Sequence, residues 1–119
     1  MEIFKEFTFE AAHRLPNLPE THKCYRLHGH SFRARIYVEG PLDSELEWVQ
    51  DFADITAIVA PFHKMLDHNY LNEIEGLENP TSEVIAKWIW DKVSPELPML
   101  SKVVIQENCT CGATYTGVP

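Results

Sequence analysis

Two stretches of the chain alternate apolar and polar residues with a period of two, and they flank one long connection. In residues 2 to 13, Ile3, Phe7, Phe9 and Ala11 share one parity, while Glu2, Glu6, Thr8 and Glu10 share the other. In residues 28 to 39, Phe32, Ala34, Ile36 and Val38 stand against Ser31, Arg33, Arg35 and Tyr37. Successive strand side chains point to opposite faces, so each stretch predicts a half-buried strand whose apolar face must be covered. His13 keeps the apolar parity just past the first strand. The connection, residues 14 to 27, contains Pro16 and Pro19 and carries Cys24. A loop of that length inside a compact domain is usually functional.

The cover comes later in the chain. Ile55, Ile58, Val59, Phe62, Met65 and Leu66 recur at helical spacing from about Ala53 to Leu66, with Pro61 removing one backbone donor and expected to kink the helix. A second helix is predicted over "EVIAKWIWDKV", where Val84, Ile85, Trp88, Ile89 and Val93 share a side, with Asn79 as N-cap and Pro80 at the first helical position. "LEWVQDF", after the turn "GPLDSE", reads as a third strand, and "KVVIQENCTC" as the last. Strands on one side and two helices on the other make a single α+β domain over residues 1 to 119.

Charge narrows the ligand class. The net charge of −8 argues against a general nucleic-acid binder, because phosphate backbones are held by basic surfaces. From His13 to Arg35, however, Arg14, Lys23, Arg26, Arg33 and Arg35 face only Glu20, a local +4 that leaves −12 on the rest of the chain. A cationic pocket on an acidic body suits a small anionic ligand. "MEIFKEFTFE" lacks the apolar centre of a signal peptide, and no run approaches the roughly 18 apolar residues of a membrane span, so a cytoplasmic location is expected. The three cysteines, Cys24, Cys109 and Cys111, are an odd number and suit a reducing compartment.

Four of the six histidines fall between positions 13 and 30. His28 and His30 are one residue apart on a predicted strand and so lie on one side of the sheet, with Gly29 allowing close backbone approach. A catalytic zinc site typically takes three protein ligands and leaves one position open. His13 and His22 are the candidates for the third, and topology favours His13, at the end of a neighbouring strand. Cys24 is either a fourth ligand, which would close the site, or a thiol made reactive by nearby zinc, Lys23 and Arg26. The inert alternative is a buried cysteine.

Five further residues are candidates for chemistry. Asp67 and His68 in "LDHNYL" are the kind of pair that orients an imidazole, although chain neighbours often point apart. Glu107 shares parity with Val103 and Ile105, so its carboxylate is aimed where apolar side chains go, or else it is an exposed strand-end residue. In the first case it suits the adjacent N–H donors of a fused heterocycle such as guanine or pterin. Cys109 and Cys111 share that parity if the strand continues, a weak invitation to a second metal site.

With "FEAAHRL" upstream, "CYRLHGH", "LDH" midway, "NPTSE" and a late "QEN", the chain resembles the 6-pyruvoyl-tetrahydropterin synthase family over nearly its whole length. "LPNLPETHKC", "GLENPTSEVIAKWIWD" and the three residues between Cys24 and His28 resemble its bacterial 6-carboxy-tetrahydropterin synthase branch, which serves queuosine and related 7-deazaguanines. The resemblance implies zinc on His13, His28 and His30, Cys24 as catalytic thiol, Asp67 and His68 as the acid/base pair, and Glu107 as pterin anchor. It implies 7,8-dihydroneopterin triphosphate as substrate, with 6-carboxy-tetrahydropterin, acetaldehyde and triphosphate as products. It also implies the tunnelling fold, in which four-stranded antiparallel sheets with two helices on one face close into a barrel in a homo-oligomer, a hexamer built from trimers, with active sites at subunit contacts. Arg33 and Arg35 would then line the barrel or be solvated. Gln50, Pro61 and the Cys-Thr-Cys ending depart from the expected pattern. A 6-pyruvoyl-tetrahydropterin synthase and a non-catalytic zinc or purine-binding module are the alternatives.

Overall fold

The computed structural model describes residues 1–119. Two 12-residue strands, β1 (Glu2–His13) and β2 (His28–Glu39), form an antiparallel hairpin that pairs Glu2 with Glu39 at one end and His13 with His28 at the other. This register keeps Phe9 opposite Phe32 and Phe7 opposite Ala34, as the apolar parity of both strands requires, since a one-residue slip would turn a whole apolar row to solvent. After helix α1 (Phe52–Leu66) come the two-residue strand β3 (Asn69–Tyr70) and helix α2 (Ser82–Val93), then β4 (Leu100–Asn108) and β5 (Cys111–Tyr115). The sheet runs β3-β1-β2-β4-β5, antiparallel except where β3 lies parallel to Ala11 and Ala12 of β1.

The core lies between one sheet face and the helices. Phe9, Phe32, Ile36, Val103 and Ile105 meet Ile55, Val59, Leu66, Ile85 and Ile89 in one buried cluster. Each large side chain removed from water there contributes roughly 1.5–3 kcal/mol against chain entropy. Phe9 and Phe32 stack with centroids 4.9 Å apart. The opposite face is polar and tied across the strands: Arg35 Nε donates to Glu6 at 2.9 Å, Ser31 to Glu10 at 2.6 Å, and Lys102 pairs with Glu2 at 3.1 Å. Arg33 lies 3.6 Å from Glu6, so both arginines have local carboxylate partners.

Four details differ from the sequence expectation. Residues 46 to 52 do not form a third strand. The Asp43 carboxylate accepts the N–H groups of Glu45 and Leu46, each at 2.9 Å, and Asp51 accepts from Ala53 as the N-cap of α1. Short acidic side chains offer the backbone a turn in place of a ladder, and only Val49 of that segment is buried. The terminal strand also stops earlier than expected, because Asn108 accepts from the Thr110 N–H at 2.8 Å and the chain reverses into β5. The sheet is therefore five-stranded and mixed instead of four-stranded and antiparallel. Finally, Thr81, not Asn79, caps α2, its hydroxyl accepting from Val84 N–H at 3.1 Å. Asn79 instead accepts from Asn17 N–H at 3.2 Å.

Candidate metal centre and active site

β1 ends and β2 begins on a histidine, so the register partners His13 and His28 stand at the mouth of the hairpin, directly below the 14–27 loop. His30 is two residues on, on the same face. Ring centroids are 4.6 Å apart for His13 and His28, 4.9 Å for His28 and His30, and 5.2 Å for His13 and His30. Glu107, near the end of β4, completes the group: one potential ligand atom from each of His13, His28, His30 and Glu107 lies within 4.8 Å of all the others.

Backbone carbonyls fix two of the imidazoles. His13 Nδ1 lies 2.9 Å from the carbonyl oxygen of Pro80, and His28 Nδ1 lies 2.7 Å from that of Arg26. A carbonyl only accepts, so each Nδ1 carries the proton and each neutral ring has its lone pair on Nε2. This outer contact is the usual way a metal-ligating histidine is oriented. Burial, the largest influence, holds His13 below the ordinary histidine pKa of 6.5, with the Pro80 carbonyl opposing. The fully buried ring is thus kept in the neutral form that binds metals.

The donor set fits a divalent cation. His13 Nε2 is buried without a hydrogen-bond partner, and it faces Glu107 Oε1 at 3.4 Å, while His30 Nε2 is 3.1 Å from the same oxygen. A buried lone pair opposed to a partly exposed carboxylate oxygen is unfavourable unless positive charge lies between them. Imidazole and carboxylate together suit zinc or a similar first-row ion.

The other sequence-predicted residues divide around this centre. His22 is not in it: its Nδ1 accepts from Cys24 N–H at 3.0 Å and caps the short turn Lys23–Tyr25. Cys24 is a free, half-buried thiol outside the ligand group. Asp67 and His68 do interact, Asp67 Oδ2 lying 3.0 Å from His68 Nδ1. They are docked on β1, because Glu10 N–H donates to Asp67 Oδ1 at 2.9 Å and His68 N–H donates to the Glu10 carbonyl at 2.6 Å. His68 adopts a left-handed φ of 60°, which turns its ring back toward its neighbour's carboxylate. The Glu10 N–H first, and His68 second, hold the Asp67 carboxyl below its ordinary range. His68 itself is 78% exposed, and it lines with His30, Gly29, Ser31 and Tyr70 a concavity of about 560 Å³. Cys109, in the β4–β5 turn, and Cys111, at the start of β5, are exposed, free thiols outside the metal-binding group.

Sequence reading aimed Glu107 at the apolar side without placing it among the histidines. The missing information was the β2–β4 register, which sets Ile105 against Ala34 and so carries Glu107 to the histidine end of β2.

The 6-pyruvoyl tetrahydropterin synthase family matches residues 2–118. The chain is 49% identical to the 6-carboxy-5,6,7,8-tetrahydropterin synthase of Synechocystis, over 95% of this chain and 91% of that protein. It is 36% identical to the dihydroneopterin monophosphate aldolase of Pyrococcus furiosus, over 81% of this chain and 77% of that one. Among solved structures it is similar to the 6-pyruvoyl tetrahydropterin synthase of Caenorhabditis elegans, with a TM-score of 0.92 at 25% identity, covering 99% of this chain and 96% of that one. A match spanning all but the extreme ends, on a fold that carries the His13, His28, His30 and Glu107 group, shows that the chain is an enzyme of the 6-pyruvoyl tetrahydropterin synthase family.

Proposed function

We propose that the chain converts 7,8-dihydroneopterin triphosphate and one water to 6-carboxy-5,6,7,8-tetrahydropterin, acetaldehyde and triphosphate, as a carbon–carbon lyase in queuosine and 7-deazaguanine biosynthesis. The observation that carries the reading is the convergence of His13, His28 and His30 at the base of the loop that holds Cys24. Nearly half identity to the Synechocystis enzyme supports the choice of product.

His13, His28 and His30 would hold a zinc ion, and Glu107, whose Oε1 faces two of these imidazoles at the edge of the same group, would turn to accept the adjacent N–H donors of the pterin ring when substrate is bound. Such an ion would supply Lewis acidity toward the hydroxyl-bearing side chain of the substrate. Cys24, as thiolate, removes a proton from that side chain. Asp67 fixes the Nδ1 proton of His68, so Nε2 of the exposed ring is the atom that exchanges protons with substrate. Lys23 and Arg26 on the loop support binding of the triphosphate, whereas Arg33 and Arg35 are on the opposite sheet face and paired with Glu6. The enzyme works as a homo-oligomer, a hexamer of two trimers. In support, β5 and most of β1 are sheet edges within one chain, and exposed edges are normally covered. No helix is long and apolar enough to cross a membrane.

The fold likeness to the nematode enzyme favours, as second reading, elimination of triphosphate to give 6-pyruvoyl-tetrahydropterin. Mass spectrometry of products formed from dihydroneopterin triphosphate separates the two. The carboxy product with acetaldehyde is expected, and accumulation of the pyruvoyl product alone would overturn the assignment.

A further inference from the structure

The loop from Arg14 to Leu27 joins two of the clustered histidines, and the amide of Asn72, outside the loop, anchors its first residue. Asn72 Oδ1 accepts from Arg14 N–H at 3.0 Å, and Asn72 Nδ2 donates to the Arg14 carbonyl at 2.8 Å. Both backbone groups of Arg14 are therefore satisfied by a single side chain at the point where β1 has ended. The second Nδ2 proton goes to the Glu78 carbonyl at 3.2 Å, so Asn72 is itself held in one orientation.

Arg14 passes the constraint across the loop. Its Nε donates to the Tyr25 carbonyl at 3.2 Å, and its guanidinium lies 4.5 Å from the centre of the Tyr25 ring. Next along the chain, Leu15 N–H donates to the Cys24 carbonyl at 2.9 Å. Cys24 and Tyr25 are thus tied at three points to the two residues that follow His13. A guanidinium presents a rigid planar fork, so its contact with the ring and its bond to the carbonyl are fixed together, whereas an ammonium on a flexible stem is a point charge that fixes neither as closely.

We infer that Asn72 and Arg14 are positioning residues for the reacting thiol, fixing where Cys24 stands above the His13 and His28 end of the hairpin. This rests on the proposed role of Cys24. The residue pair acts through loop geometry and leaves the metal ligands untouched.

The test uses the full-length, zinc-loaded chain as wild type, Asn72→Leu, Asn72→Asp, Arg14→Lys and Cys24→Ser. Zinc per chain is measured, together with kcat and KM for dihydroneopterin triphosphate. Iodoacetamide labelling is followed separately at Cys24 and at the exposed Cys109 and Cys111. Asn72→Leu and Arg14→Lys are expected to keep zinc, to label Cys24 severalfold faster with Cys109 and Cys111 unchanged, and to lose about 10- to 100-fold in kcat with KM little altered. Asn72→Asp keeps the acceptor for Arg14 N–H and is expected to fall between; it carries the test if Asn72→Leu does not fold. Wild-type Cys24 labelling and kcat in the Asn72 variants would overturn the inference, as would equal acceleration at all three cysteines. Full kcat in Arg14→Lys would show that only charge is required and overturn the role of Arg14. Full turnover in Cys24→Ser would instead remove the thiol reading itself, whatever the labelling of Cys24 in the other variants.

Discussion

His13 and His28 are opposite one another in the β1–β2 register, and each gives its Nδ1 proton to a main-chain carbonyl, Pro80 for the first and Arg26 for the second. Both rings are held with Nε2 free before any ion arrives.

Stability should therefore depend on metal. Removing zinc with a chelator is expected to lower the melting temperature, and readdition to 100 times the dissociation constant should restore about 2.7 kcal/mol. Calorimetry of chelated and reloaded protein checks this. His28→Ala, which deletes one ligand, is expected to bind little zinc and to show no thermal shift on its addition. Equal melting of apo and reloaded wild type would contradict the metal site.

Cys24 stands outside the ligand group, so Cys24→Ser should keep its zinc. Turnover should fall by roughly 10²–10⁴, the usual contribution of a positioned proton-transfer group. Elemental analysis beside a product assay decides: a variant that folds but has lost its zinc would make the thiol a ligand.

Acid should act through Asp67. Its carboxyl is held below the ordinary 3.8 in the folded protein, so its bonds to Glu10 and His68 stabilise fully above 3.8 and are lost as pH falls through the depressed folded value. Asp67→Asn is expected to melt below wild type at about pH 6, with the gap closing as pH falls under about 3.8. A gap that stays constant across that window would show that the carboxylate charge does not matter.

Thr81→Ala removes the hydroxyl that accepts from Val84 N–H and should cost about 1 kcal/mol in urea unfolding. Because Pro80 precedes it, the same change should also weaken zinc binding by loosening the carbonyl that orients His13. Asn79→Ala, which leaves the cap in place, should leave the helix terminus intact.

How much of this was legible in the sequence depends on which residues set the geometry. Period-two alternation placed His28 and His30 on one face and only favoured His13 over His22 as the third; the register that sets Phe9 against Phe32 brings His13 opposite His28. Helical spacing likewise gave α1 and α2 nearly to their ends. What escaped was decided by short polar side chains bonding to nearby backbone. Asp43 cancelled a strand that "LEWVQDF" suggested, and Asn108 turned the last strand into a hairpin. Thr81 took the cap from Asn79 because Asn79 was engaged by Asn17. The Asp67 and His68 contact needed a left-handed backbone at a non-glycine residue, for which alternation gives no sign. Glu107 and Asn72 act on partners far along the chain, where only tertiary pairing brings them together.

The Pro80 carbonyl that braces His13 has an assembly consequence. All three imidazoles are present once the first hairpin has left the ribosome, but the brace and Glu107 come from the later half of the chain. A nascent hairpin thus holds the carbonyl that orients His28 but lacks the one that orients His13. The complete group of His13, His28, His30 and Glu107 exists only once β4 has docked beside β2, and the His13 brace only once the segment before α2 is in place.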